Sequence, residues 1–281
     1  MKKLLWLNLA VLSFSACQKD AAPAAFLKME NPSLTTNIIS EGANTSNIKD
    51  GMLIVNSQVL GQSSFPFSLP VTALGTQAVR VRPCILMNGS QDSRVPYPFY
   101  DDYRTTLTFT EDGVQTINPT FEYKSNVQFL FIEDFEQAGT VFGVDLDGDA
   151  DTYLAPTTEG GILSGLNSGV IKLDTAHPVY ASETSNRYQL TRNQPVYLEI
   201  DYKASCPFVV GIDGYDNGSP NRRTIVYVFP SDTWQKLYIN LYSDVLSLNA
   251  DEYAITLGAS LAQDSITSSV YLDNIKLVHT P

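Results

Sequence analysis

Short runs of alternating apolar and polar residues recur along most of this chain, separated by Gly, Pro, Asn and Asp. The clearest are Met52-Leu53-Ile54-Val55, Ala78-Val79-Arg80-Val81, Thr105-Thr106-Leu107-Thr108-Phe109, Val196-Tyr197-Leu198-Glu199-Ile200 and Val270-Tyr271-Leu272-Asp273-Asn274-Ile275. A period of two sends successive side chains to opposite faces of a strand. Val, Ile, Thr and Tyr suit the half-buried pleated surface that results. Runs of this kind at close spacing, with turn residues between them, predict an all-β chain built of sandwiches. Ala250 to Leu261 comes nearest to a helical pattern and is expected as strand.

One apolar run differs in kind. Met1-Lys2-Lys3 leads into the 11 residues Leu4 to Phe14, then Ser15-Ala16 and Cys17. A basic start, a short apolar run and small residues form a secretory signal; about 20 apolar residues are needed to cross a bilayer. Phe14-Ser15-Ala16-Cys17 resembles the lipobox of bacterial lipoproteins, with Phe14 in place of the usual Leu. The resemblance implies cleavage before Cys17, acylation of Cys17 and a membrane anchor. Gln18-Lys19-Asp20 is similar to the export signal of Bacteroidota surface lipoproteins, though it carries one acid only. An outer-membrane location is therefore expected, with the anchor facing either the cell surface, which is preferred, or the periplasm.

The chain then divides in four: a signal peptide (1–16), a lipidated tether rich in Ala (17–25), and two sandwiches (26–124 and 127–281). The cut falls at Lys124-Ser125-Asn126, between a strand ending near Tyr123 and the apolar run Phe129-Leu130-Phe131-Ile132. Each sandwich has an ordinary domain length. A net charge of -12, or -14 once Lys2 and Lys3 leave with the signal, repels phosphate backbones, and no basic run compensates. Nucleic acid is excluded as a partner. Beyond Cys17 only Cys84 and Cys206 remain, and they are expected as two buried thiols rather than a disulfide.

Three stretches of the second sandwich, Ile132-Glu133-Asp134-Phe135-Glu136, Trp234 to Leu241 and Ser269 to Leu277, resemble the galactose-binding-type jelly roll shared by carbohydrate-binding modules and adhesive domains. That resemblance implies a structural calcium between acids of the first and last strands, here Glu136 and Asp273. In the first sandwich, Gly51 to Gly61 and Val79-Arg80-Val81-Arg82-Pro83 more loosely resemble the immunoglobulin-like sandwich at the front of many Bacteroidota lipoproteins.

Candidate chemistry is sparse. The only histidines are His177, in a turn before Pro178, and His279, at an end expected to fray. No nucleophile elbow, zinc-ligand helix or phosphate loop appears, so no enzyme is expected. Asp145, Asp147, Asp149 and Asp151 alternate around Gly148, either as oxygen ligands for calcium or as an acidic hairpin turn. Pro-stiffened aromatics crowd Arg94 to Tyr103, where Arg94, Tyr97, Phe99, Tyr100 and Tyr103 form either a partner surface or an internal plug between the sandwiches. Tyr215, in a Gly- and Asp-rich stretch, is the candidate sugar platform.

Two functions follow. The first is a non-catalytic, lipid-anchored binding or scaffold subunit of a larger envelope complex, with an outer-membrane protein partner. The second is a surface lipoprotein that binds glycan.

Overall fold

The computed structural model describes residues 23–281, so the signal and Cys17 lie outside the described residues. The first part of the chain forms β1 (Ala25–Met29), β2 (Ser33–Leu34), the short helix α1 (Ile38–Glu41), β3 (Asp50–Val55), β4 (Gln58–Ser64), β5 (Phe67–Val71), β6 (Gly75–Leu86), β7 (Arg94–Pro96), β8 (Tyr103–Phe109), β9 (Val114–Ile117) and β10 (Thr120–Phe121). The remainder forms β11 (Gln128–Glu133), β12 (Val144–Asp145), β13 (Leu154–Thr157), β14 (Ser168–Asp174), β15 (Val179–Glu183), β16 (Val196–Ala204), β17 (Phe208–Asp216), β18 (Ser219–Val228), β19 (Ser231–Asn240), α2 (Tyr242–Leu248), β20 (Glu252–Ser260) and β21 (Thr267–His279). The protein is all-β, and β1 begins at Ala25, the last residue of the stretch read as tether.

In the first sandwich a sheet of order β5-β1-β9 faces one of order β4-β3-β6-β7, with β8 also paired to β6. The long strand β6 serves two neighbours in turn, β8 along Gly75–Val81 and β7 along Cys84–Leu86. Asn56 and Ser57 close the β3–β4 hairpin, both at positive φ, as a tight two-residue turn requires.

The second sandwich packs a sheet of order β13-β14-β21-β16-β19, with β11 also on β21, against one of order β12-β15-β20-β17-β18. Leu198 and Ile200 of β16 share one core with Val210 and Ile212 of β17, all fully buried. Each contributes about 1.5–3 kcal/mol relative to an exposed side chain. Cys84 and Cys206 are buried free thiols, and burial pushes Cys84 up to about 12.

The opposite face of β16 meets the first sandwich. Tyr197, Tyr238 and Val278 belong to the first sandwich's apolar cluster, alongside Tyr97, Phe99, Tyr100 and Tyr123. Within this joint Glu199 is fully buried and accepts hydrogen bonds from Tyr97 Oη (2.7 Å) and Tyr123 Oη (2.8 and 2.9 Å). Lys236 Nζ stands 3.2 Å from Glu199 and 3.4 Å from Asp201. Lys276 Nζ donates to the Ala43 carbonyl at 2.9 Å. The chain passes over Lys276 at Gly42 (φ +72°), where a Cβ would come within 2.9 Å of Lys276 Cε. Burial alone pushes the Glu199 carboxyl up, but the two lysines and the two phenols outweigh it and hold it below the usual range. Asn88 N–H donates to the Tyr238 carbonyl and Asn240 N–H to Asn88 Oδ1, each at 2.8 Å, so the backbone and side chain of Asn88 also tie the sandwiches together.

Candidate functional site

With one face of the second sandwich covered by the first, the outer face of β15, β20, β17 and β18 is the one directed away from the joint; its centre is buried, with Asp213 and Ala254 at 0%, while Val179 and Tyr227 at its margins are exposed. Alternation along β17 sends Phe208, Val210 and Ile212 inward, which leaves Val209, Gly211, Asp213 and Tyr215 outward. Register places Gly211 beside Thr256 and Asp213 beside Ala254 on β20, and Glu183 of β15 on the other side of Thr256. Ala181, Ala254, Thr256, Gly211 and Gly258 thus make a floor without bulky side chains. Gly211 sits at a bulge, where a Cβ would meet the Arg223 carbonyl at 2.5 Å, so only glycine fits.

Planar polar groups stand around that floor. Arg222 Nε lies 3.1 and 2.9 Å from the two Asp213 oxygens, and Arg222 Nη2 lies 2.7 Å from Oδ2. Tyr215 Oη donates to both Glu183 oxygens at 2.7 Å, and the Arg187 guanidinium lies 3.6 Å above the Tyr215 ring. Burial, followed by the bond to Glu183, pushes the Tyr215 phenol up to about 12. Both carboxylates are buried while Arg222 is half-exposed, so the charges are paired and their orientation is fixed. At the other end Tyr227 faces outward opposite Val209 and is 70% exposed, with Phe229 just beyond it at 78%.

The expected site residues are distributed differently. Tyr215 lies on a strand, is buried, and has one ring face covered by Arg187, so it is not the sugar platform. Tyr227 and Phe229 have the exposure that role needs, and sequence reasoning missed them because the bulge at Val210/Gly211 breaks the alternation along β18. Tyr97, Phe99 and Tyr100 are buried in the joint, which is the plug rather than the partner surface. Tyr103 is half-buried on β8. Arg94 binds Asp50 at 2.8 Å and Ser64 at 2.6 Å, fastening β7 within the first sandwich.

The acidic loop is occupied with its own backbone. Asp145 Oδ1 accepts the N–H of Asp147 and Gly148, Asp147 Oδ1 that of Asp149, and Asp149 Oδ1 that of Asp151. The other Asp147 oxygen accepts from Ala181 N. His177 is more than a solvated turn residue: its Nδ1 lies 2.7 Å from Asp149 Oδ2, and that bond raises the imidazole above its ordinary range. Asp149, Asp151 and His177 bring one ligand atom each within 4.8 Å of one another. Glu136 Oε1 accepts from Leu166 N (2.6 Å) and Asn167 N (2.9 Å). Asp273 is fully buried and accepts from its neighbour Asn274 N at 2.7 Å, and among the described residues no cation pairs with it. His279 does not fray: it ends β21, buried, with neither ring nitrogen hydrogen-bonded.

No protein-family model matches the chain, and no curated protein matches it. Among solved structures, it is similar to carbohydrate-binding modules of the β-sandwich superfamily at 12% identity and a TM-score of 0.38, over 82% of this chain and 84% of that one. It is also similar to the family 11 carbohydrate-binding module of the cellulase Lic26A-Cel5E of Clostridium thermocellum (14% identity, TM-score 0.37, 54% of this chain and 93% of that one). The enzymatically active domain of tailspike protein 4 of bacteriophage CBA120 matches at 12% identity and a TM-score of 0.36, over 55% of this chain and only 19% of the tailspike chain. All three likenesses are distant.

Proposed function

We propose that this chain is a non-catalytic glycan-binding lipoprotein, fastened through acylated Cys17 to the outer membrane and turned to the cell surface. The observation that supports glycan binding is the exposed ring of Tyr227 on the outer sheet of the second sandwich. A small-residue floor is bordered by the pairs Asp213–Arg222 and Glu183–Tyr215, and by the exposed ring of Tyr227. A neutral sugar has an apolar face that stacks on such a ring and hydroxyls that accept from a guanidinium edge, which half-exposed Arg222 presents in an orientation fixed by buried Asp213. Because the charges are already paired, a neutral polyhydroxyl ligand meets oriented donors and acceptors without facing a net charge. The other reading, a scaffold subunit with an outer-membrane protein partner, rests on the lipid anchor, the paired sandwiches, the missing catalytic set and the aromatic segment, and the last of these lies inside the joint.

A glycan array probed with the soluble form lacking residues 1–22 tests the reading. Tyr227→Ala is expected to weaken the glycans retained by the parent protein by about tenfold or more, which is about 1.4 kcal/mol. Unchanged retention by both Tyr227→Ala and Asp213→Asn would remove the proposed face.

Structural calcium belongs to the same proposal, with Asp273 and Glu136, or the Asp145, Asp147, Asp149 and Asp151 loop, as its holders. A buried carboxylate with no counter-charge keeps a proton or takes a cation. Chelation is expected to lower the melting temperature by roughly 5 °C, since an ion bound only by the folded state stabilises it. Superimposable melting curves with and without chelator would exclude the ion.

A further inference from the structure

No run of basic residues is visible in the sequence, yet the fold of the first sandwich gathers four. Arg80 and Arg82 of β6, Arg104 of β8 and Lys124 line one cleft of about 460 Å³ together with Asp101 and Asp102. The locality is therefore cationic in a chain whose net charge is -12. Register places Arg80 directly opposite Arg104, and like charges so placed across an antiparallel pair repel each other. Asp102 answers only part of this repulsion. Its oxygens lie 3.0 and 3.1 Å from Arg82 Nε and Nη2, and 3.4 Å from Arg80 Nε, so two guanidiniums share one carboxylate. Among the described residues no carboxylate pairs with Arg104.

Arg80 and Arg104 also border a second cleft, of about 420 Å³, whose other walls carry the amide of Asn56 and the hydroxyls of Ser57, Thr105 and Thr106. The arginine pair thus stands between two polar troughs. A guanidinium presents a planar fork that matches an oxyanion bidentately. We propose that this pair binds the carboxylate or sulfate group of an acidic saccharide, with neighbouring sugar hydroxyls in the flanking clefts. A single anionic group suits four cations partly answered by Asp101 and Asp102. A dense phosphate backbone would meet the repulsion of the whole acidic chain.

The test is titration calorimetry on the protein lacking residues 1–22, with a glucuronate-containing oligosaccharide, its neutral glucose counterpart, sodium sulfate and a single-stranded oligonucleotide. The acidic oligosaccharide is expected to bind about tenfold or more tightly than the neutral one, to weaken as sodium chloride is added, and to be displaced by sulfate at higher concentration. Arg104→Ala is expected to abolish the preference for the acidic sugar while the melting temperature stays the same or rises, because an opposed charge is relieved; Arg104→Lys is expected to retain part of it. Equal binding of acidic and neutral sugars, an unaltered preference in Arg104→Ala, or sulfate or the oligonucleotide binding as tightly as the acidic sugar would overturn the proposal. The titrations are carried out with Tyr227→Ala already in place, so that sugar held by the face on the second sandwich does not contribute and failure here is distinguishable from failure of that face.

Discussion

Glu199→Gln is expected to lower the unfolding free energy by about 3–5 kcal/mol, the usual cost of removing one partner from a buried ion pair. The loss has three sources in the joint. Lys236, with its side chain only 3% exposed, keeps a partner in Asp201, but burial pushes that carboxyl up and only in part does Lys236 oppose it. Lys276 is already driven down to about 8 by burial and by Lys236, and it loses one of the carboxylates that support its charge. Two phenols, Tyr97 and Tyr123, lose a charged acceptor and keep at best a neutral one. Urea unfolding followed by tryptophan fluorescence and by circular dichroism measures the effect. The double replacement Glu199→Met with Lys236→Met is expected to recover much of the loss, because apolar side chains do not have to be charged in a dry site. A single replacement costing under about 1 kcal/mol would mean that water reaches the joint.

The opposite sign is expected at Asp273. Burial pushes this carboxyl from 3.8 up to about 7, so between those values the folded protein holds a proton that the unfolded chain has released. Stability linked to this group is fully present below about pH 4, falls as pH rises, and is lost above pH 7. In calcium-free buffer Asp273→Asn is therefore expected to stabilise the fold at pH 8, by at most roughly 4 kcal/mol, and to have little effect at pH 4. The amide oxygen still accepts the Asn274 N–H. Denaturation curves at the two pH values decide it, and equal effects at both would show that the group does not titrate in this range. In calcium-containing buffer a destabilising Asp273→Asn would instead identify the carboxylate as a ligand.

Much of the fold could be read locally. Met52–Val55, Thr105–Phe109, Val196–Ile200 and Val270–Ile275 all lie in strands, Glu252–Ser260 is strand as expected for that stretch, and the chain turns at Lys124 before β11 begins at Gln128. The site was less legible. Tyr215 drew attention by its polar neighbours, although its strand places it under Arg187; Tyr227 lay in a run whose alternation the bulge conceals.

Period-two alternation is a property of adjacent residues, so the sequence alone determines which side chains share a face, and with it the all-β class and the acidic character of the surface. It does not determine what that face meets. Glu199 occupies a polar position in its strand that alternation assigns away from its own core, and only the docking of a second sandwich makes it the centre of a dry joint. Arg80 and Arg104, 24 residues apart, become neighbours through strand register, and Asp213, Arg222 and Glu183 meet on one sheet for the same reason. Pairing between distant strands is set by the energy of the whole packed arrangement, which no local pattern contains.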